Sequence, residues 1–119
     1  MFSLKLTLKN LSNMSKLTVY DEMDAPSTSG SSLKGYIHAT YSQLVDLLGQ
    51  PTFDEPSGDD KTQVEWIVGF EDEYGDTNVF TIYDWKTYDR NYTENRLSTF
   101  NVGGKTSAYD FIDYLESRI

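Results

Sequence analysis

The chain has 119 residues, no cysteine and a formal net charge of −9. That length suits one domain, and the missing cysteine removes disulfides, thiolate nucleophiles and Cys-ligated zinc. The negative sign is wrong for neutralising phosphates, so direct nucleic-acid binding is not expected. The charge is uneven. Residues 1–34 hold four lysines against three acids, whereas residues 35–119 hold six basic against sixteen acidic residues, a balance of −10. An acidic body favours basic partners and solubility. Nine Tyr, six Phe and two Trp supply enough large rings for both a core and an interface.

In chain order, Phe2, Leu4, Leu6 and Leu8 alternate with polar residues, which predicts a half-buried strand instead of the continuous apolar stretch of a signal peptide. Met14 offers an alternative start of translation. Residues 17–20 form a second short strand candidate. Residues 25–32, rich in Ser, Pro and Gly, read as a flexible connector. The chain then divides into an N-terminal strand region (1–24), the connector (25–32) and a main body (33–119) of one domain. No segment approaches the roughly 20 apolar residues of a membrane helix, so no membrane partner is expected.

Residues 33–39 read as a strand. Thr40 and Gln43 make a capping box, and Tyr41, Leu44, Val45 and Leu48 share one helical face. Gly49 and Pro51 stop that helix. Residues 50–60 form a loop. Val64, Trp66, Val68 and Phe70 alternate along a strand, residues 71–76 make a polar hairpin turn, and residues 79–85 return. Residues 86–95 are polar and read as a mobile loop. Residues 97–102 form the last strand. Ser107 and Asp110 suggest a second capping box before a helix carrying Ala108, Phe111, Ile112, Leu115 and Ile119. The expected fold class is α+β, an antiparallel sheet of four to six strands with two helices packed on one face.

No pattern calls for catalysis, a cofactor or a metal. Gly103-Gly104-Lys105-Thr106 follows a strand and precedes a helix, where free amides bind anions. The phosphate-loop motif needs a glycine five positions before Gly104, and that position is Thr99. A modest anion contact at Gly103, Gly104, Lys105 and Thr106 is the remaining expectation. The acidic runs do not follow the spacing of a calcium loop, and the single His38 lacks a nucleophile motif around it. Two sets of residues are candidate partner contacts. The acidic set is Glu71, Asp72, Glu73 and Asp76 at the hairpin tip, joined by Asp54, Glu55, Asp59 and Asp60 if the long loop reaches the same end of the sheet. The aromatic set is Trp66, Tyr83, Trp85, Tyr88 and Tyr92, of which Trp66 and Trp85 are not both expected to be buried.

Gly35, Ala39-Thr40-Tyr41, Leu44-Val45, Gly49 and Pro51, then Glu65-Trp66, residues 81–86 and residues 101–104, occur in an order that resembles a loose family of small tailed-bacteriophage proteins, mostly of unassigned function. The resemblance covers about two-thirds of the chain. It implies a viral accessory protein in the cytoplasm of the host cell that inhibits a host protein, such as a nucleic-acid-handling defence enzyme with a basic surface. Residues 47–52 ahead of a tryptophan strand are similar to small bacterial envelope-assembly lipoproteins, whose lipobox cysteine this chain lacks. The expected function is therefore protein binding through an acidic surface. The alternative is a sponge for nucleotide signals, with Trp66, Tyr83 and Trp85 stacking the base.

Overall fold

The computed structural model describes residues 16–119, so the strand expected over residues 2–8 lies outside it. An antiparallel five-stranded sheet runs in the order β1-β3-β4-β5-β2. Its strands are β1 (Leu17–Val19), β2 (Ser32–His38), β3 (Glu65–Glu71), β4 (Thr77–Tyr83) and β5 (Thr99–Gly104). The helices are α1 (Tyr41–Leu48), α2 (Arg90–Asn95) and α3 (Tyr109–Glu116). The architecture is α+β, as expected.

Strand periodicity puts alternate residues on one face, and register aligns those residues between strands. Trp66 stands opposite Ile82, Val68 opposite Phe80, and Ile82 opposite Val102. Ile37 stands opposite Phe100 at the far edge. All of these are buried, and they form one cluster with Leu44 and Leu48 of α1 and Phe111 and Leu115 of α3. Both longer helices thus cover the same sheet face. Phe111 stacks on Phe80 with ring centroids 4.5 Å apart and meets Phe70 edge-on. Trp66 belongs wholly to this core: its surface is 0% exposed, and its indole N–H donates to the Gly49 carbonyl. It is therefore removed from the aromatic contact set.

Helix α1 begins as its sequence dictates. The Gln43 amide donates to Thr40 Oγ1, and the Thr40 amide donates to Gln43 Oε1. Gly49 at φ 83° ends it, with its amide on the Val45 carbonyl. Helix α3 starts differently from expectation. Ala108 occupies the cap position, and Ser107 Oγ accepts from Tyr109 N, so no reciprocal box with Asp110 forms. Ile119 lies beyond the helix and is exposed. Residues 90–95 are helical where a loop was expected. Asp89 Oδ1 caps that helix through Asn91 N, and Arg90 pairs with Glu94 one turn on. The connector is shaped by turns, with Ser31 N donating to the Thr28 carbonyl and β2 starting at Ser32.

Strand β5 is shifted by two residues from expectation: it starts at Thr99 instead of Leu97 and takes in Gly103 and Gly104. Both glycines pair on both sides, with Leu33 and Ser32 of β2 and with Thr81 and Phe80 of β4. Their backbone belongs to the ladder, not to a phosphate-binding turn. A Cβ on Gly104 would lie 2.7 Å from Phe80 Cδ1. This glycine is needed because a core ring lies across it. Gly35 similarly admits Ile112 of α3, which would lie 2.9 Å from an added Cβ.

Leu115 is 0% exposed between α3 and the sheet. Leu115→Ala should therefore cost about 2–5 kcal/mol in a urea unfolding titration. A cost below roughly 0.5 kcal/mol, the range of surface substitutions, would mean that α3 does not seal the core.

Candidate functional site

The sheet face turned away from the helices carries the candidate site, at the end where β3 begins. The outer edge of β3 is stitched to two other segments. The Thr52 hydroxyl donates to the Tyr20 carbonyl at 2.6 Å and accepts from the Ile67 amide at 2.9 Å. One residue later, Phe53 and Glu65 exchange backbone hydrogen bonds of 2.9 Å each. On the other side, Glu65 pairs with Tyr83. Directly paired residues project from the same face. Phe53, Glu65 and Tyr83 therefore form a cross-strand row with Glu65 in the middle position. Trp85 meets Tyr83 edge-on at 6.2 Å.

This row lies in a groove of about 740 Å³ whose rim includes Glu22, Asp54, Glu55 and Pro56. Burial pushes the Glu65 carboxyl above its ordinary pKa, and no hydrogen bond or neighbouring cation offsets that push. A half-buried carboxylate without a donor is costly. It favours any cation that enters the groove.

Trp85 is positioned by its neighbour. Asp84 is 0% exposed. Its Oδ1 accepts from the amides of Gln63 (2.7 Å) and Val64 (3.0 Å). Its Oδ2 accepts from the hydroxyls of Thr87 (2.5 Å) and Thr93 (2.8 Å). The buried carboxylate fixes the chain as it leaves β4, and Trp85 is left about half exposed, at 48%. Lys61 and Lys86 bring their ammonium groups to 5.7 and 5.9 Å from its ring centroid.

The acidic set is divided. Antiparallel connectivity puts the hairpin tip at one end of β3 and the loop of residues 50–60 at the other, so the two groups do not combine. At the tip, Asp72 Oδ1 accepts from the amides of Tyr74 and Asp76, and Oδ2 accepts from Asn78. Desolvation raises its pKa, but these bonds outweigh it and hold the carboxyl below its usual range. Asp72 thus closes the turn. Glu71 and Glu73 line a second groove beside Phe70, Phe111 and Asp113. In the long loop, Asp59 accepts from the Ser57 hydroxyl and the Lys61 amide, which lower its pKa. Asp60 adopts φ 59° within that turn. Asp54 is engaged by Arg90 at 2.6 Å. Desolvation lowers the Arg90 pKa, yet its bonds to Asp54 and Tyr41 prevail and raise it.

The groove therefore unites Asp54 and Glu55 of the acidic set with Tyr83 and Trp85 of the aromatic set. Tyr88 and Tyr92 are exposed, at 56% and 44%, but do not line it. Sequence reasoning missed Glu22, Phe53 and Glu65. Glu65 offered a faint signal as an acidic residue inside an otherwise apolar strand. Among the described residues, no cluster of three or more His, Asp or Glu could hold a metal, and no helix is long and apolar enough to cross a membrane. No family model matches the chain, and comparison with curated proteins and with solved structures finds no match.

Two outcomes test this geometry. Asp84→Ala strands the buried amides of Gln63 and Val64, each worth about 1–3 kcal/mol when left unsatisfied, and leaves the Thr87 and Thr93 hydroxyls only each other and the Asp89 carbonyl. It should cost on the order of 3 kcal/mol or more in urea unfolding. Asp84→Asn keeps an acceptor for the amides and should cost clearly less. Equal costs would mean that the carboxylate oxygens do not organise the loop.

The second outcome concerns Glu65. A carboxyl whose folded pKa is raised gives its full support to folding below the unfolded value and loses it as pH rises through the folded value. Glu65→Gln should therefore raise the melting temperature at pH 7 relative to the parent chain. The gain should close on acidification to about pH 4, near the ordinary glutamate pKa. A variant less stable than the parent at pH 7 would contradict the burial of that charge.

Proposed function

We propose that this protein is a non-catalytic binding protein that takes a partner with a basic surface in the groove of Glu65, Tyr83 and Trp85. The observation that carries this reading is the Glu65 carboxyl, desolvated in the groove that Phe53, Tyr83 and Trp85 line, with nothing to offset its charge. Glu22 and Glu55 add negative charge at the rim, on a body whose balance after residue 34 is −10. Complementary charge speeds encounter and selects the partner. A basic surface that handles nucleic acid would be blocked by such an occupant. That inhibitory mode agrees with the likeness to bacteriophage accessory proteins, which is an argument from association. The nucleotide-sponge reading is weaker, because the backbone of Gly103 and Gly104 is engaged in the ladder and Trp66 is core.

The test compares two sets of variants in binding to a partner captured from host cells. Glu22→Gln, Glu55→Gln and Glu65→Gln together remove the groove's charge. Glu71→Gln with Glu73→Gln removes charge at the far end, and leaves Asp72 to close its turn. The groove variant should slow association about tenfold at low salt and flatten its salt dependence, since exposed charges act mainly through steering. The tip variant should keep most of the rate. A groove variant with an unchanged rate and salt slope would place recognition elsewhere.

A further inference from the structure

We propose that the groove's anchor is the guanidinium of a partner's arginine, seated on Glu65 in the groove lined by Phe53 and Tyr83. This rests on the reading of the groove as the site for a basic partner, and adds which chemical group enters it.

The cross-strand row sets the dimensions. Phe53, Glu65 and Tyr83 lie on three adjacent strand segments. Neighbouring segments are about 4.8 Å apart, so the two flanking segments are separated by roughly 9–10 Å. A flat group stacks on a ring at about 3.5–4 Å. The groove above Glu65, lined by Phe53, Tyr83 and Trp85, therefore has room for a planar group against a ring. The carboxylate at its floor presents two oxygens side by side, which matches the two parallel N–H groups of a guanidinium. The faces of Tyr83 and Phe53 are attractive to cations. Trp85 acts as a side wall through its edge contact with Tyr83, because Lys61 and Lys86 already lie near its ring.

Other cations fit less well. A lysine ammonium is compact and strongly hydrated, so it loses more on leaving water and cannot stack as a plane. A quaternary ammonium would enjoy the rings but has no N–H for Glu65 or for the rim carboxylates of Glu22 and Glu55. Arginine has five donors in a fixed fork. The half-buried Glu65 carboxyl would exchange an uncompensated charge for a bidentate pair.

The experiment titrates acetyl-Gly-Arg-Gly-amide into the full chain and follows the Trp85 indole and Glu65 carboxyl resonances by NMR. Matched peptides carry citrulline, lysine or trimethyllysine in place of arginine. Arginine should bind at least about tenfold more tightly than citrulline, which has the same shape without the charge, and more tightly than both lysine forms. Glu65→Gln should lose about tenfold in arginine affinity. Tyr83→Leu, which keeps apolar bulk but removes the ring, should lose about threefold to tenfold. Glu71→Gln, at the far end, should change nothing. Equal binding of arginine and citrulline would overturn the proposal, as would full affinity in Glu65→Gln or a preference for trimethyllysine. If arginine peptides fail while the groove variant still loses its captured partner, the anchor is another group and the binding reading stands. If the groove variant keeps its partner, the reading itself fails.

Discussion

One buried carboxylate organises the end of the sheet where the site lies. Asp84 accepts from two backbone amides before β3 and from two threonine hydroxyls beyond β4. Those groups come from three places: the approach to β3, the loop after β4, and α2. Without that acceptor the two amides would be buried, unsatisfied donors. The same residue therefore fixes where β4 stops, where β3 starts and where α2 docks. It also sustains local strain. Lys86 and Tyr88 have φ values of 56° and 57° on either side of Thr87, a conformation that non-glycine residues hold only when their surroundings impose it. The Thr87 hydroxyl on Asp84 is part of that imposition. Trp85 is left at the groove wall because both of its neighbours are held.

The two faces of the sheet are finished by different means. The helix face is closed by α1 and α3 through Leu44, Leu48, Phe111 and Leu115. On the opposite face, tyrosines lie over glycines. An added Cβ on Gly69 would be 2.8 Å from Tyr20 Oη, and one on Gly103 would be 3.6 Å from Tyr83 Cε1. A tyrosine laid flat covers backbone while keeping its hydroxyl near water. Such a face is neither an apolar patch nor a fully polar one. Rings and carboxylates at its end can meet a charged partner without a large apolar area exposed in the unbound protein.

How much of this was legible depended on whether the signal was local. Helix α1 was legible to the residue, because Thr40, Gln43 and Gly49 form its caps from within a ten-residue window. The strands were legible as elements but slipped at their ends. Strand β4 ends at Tyr83 instead of Trp85, and the reason is the long-range demand of Asp84 on Gln63 and Val64. Strand β5 takes in Gly103 and Gly104, because Phe80 needs the space that a side chain would fill. Helix α2 has no apolar period at all. Its stability comes from the Asp89 cap, the Arg90–Glu94 pair and the Thr93 hydroxyl on Asp84. The acidic and aromatic candidates were identified by type, but their grouping required the pairing of strands. Glu65 escaped notice because strand alternation makes an outward glutamate look merely solvated.

Net charge also says less about recognition than its distribution among side-chain lengths. Half of the twelve aspartates are engaged by the fold. Asp21, Asp59, Asp72 and Asp89 each accept a backbone amide within four residues of themselves, and Asp84 spans the loops. A short carboxylate reaches its own backbone easily, which is why Asp closes turns and caps helices. Glutamate, one methylene longer, is poorer at this and projects further. In the groove the contrast is direct: Asp54 is neutralised by Arg90, while Glu22, Glu55 and Glu65 supply its remaining acidity. Removing charge from those engaged aspartates would therefore mostly loosen the loops they close. Removing glutamate charge at the groove would change the field that an approaching cation meets and leave the scaffold in place.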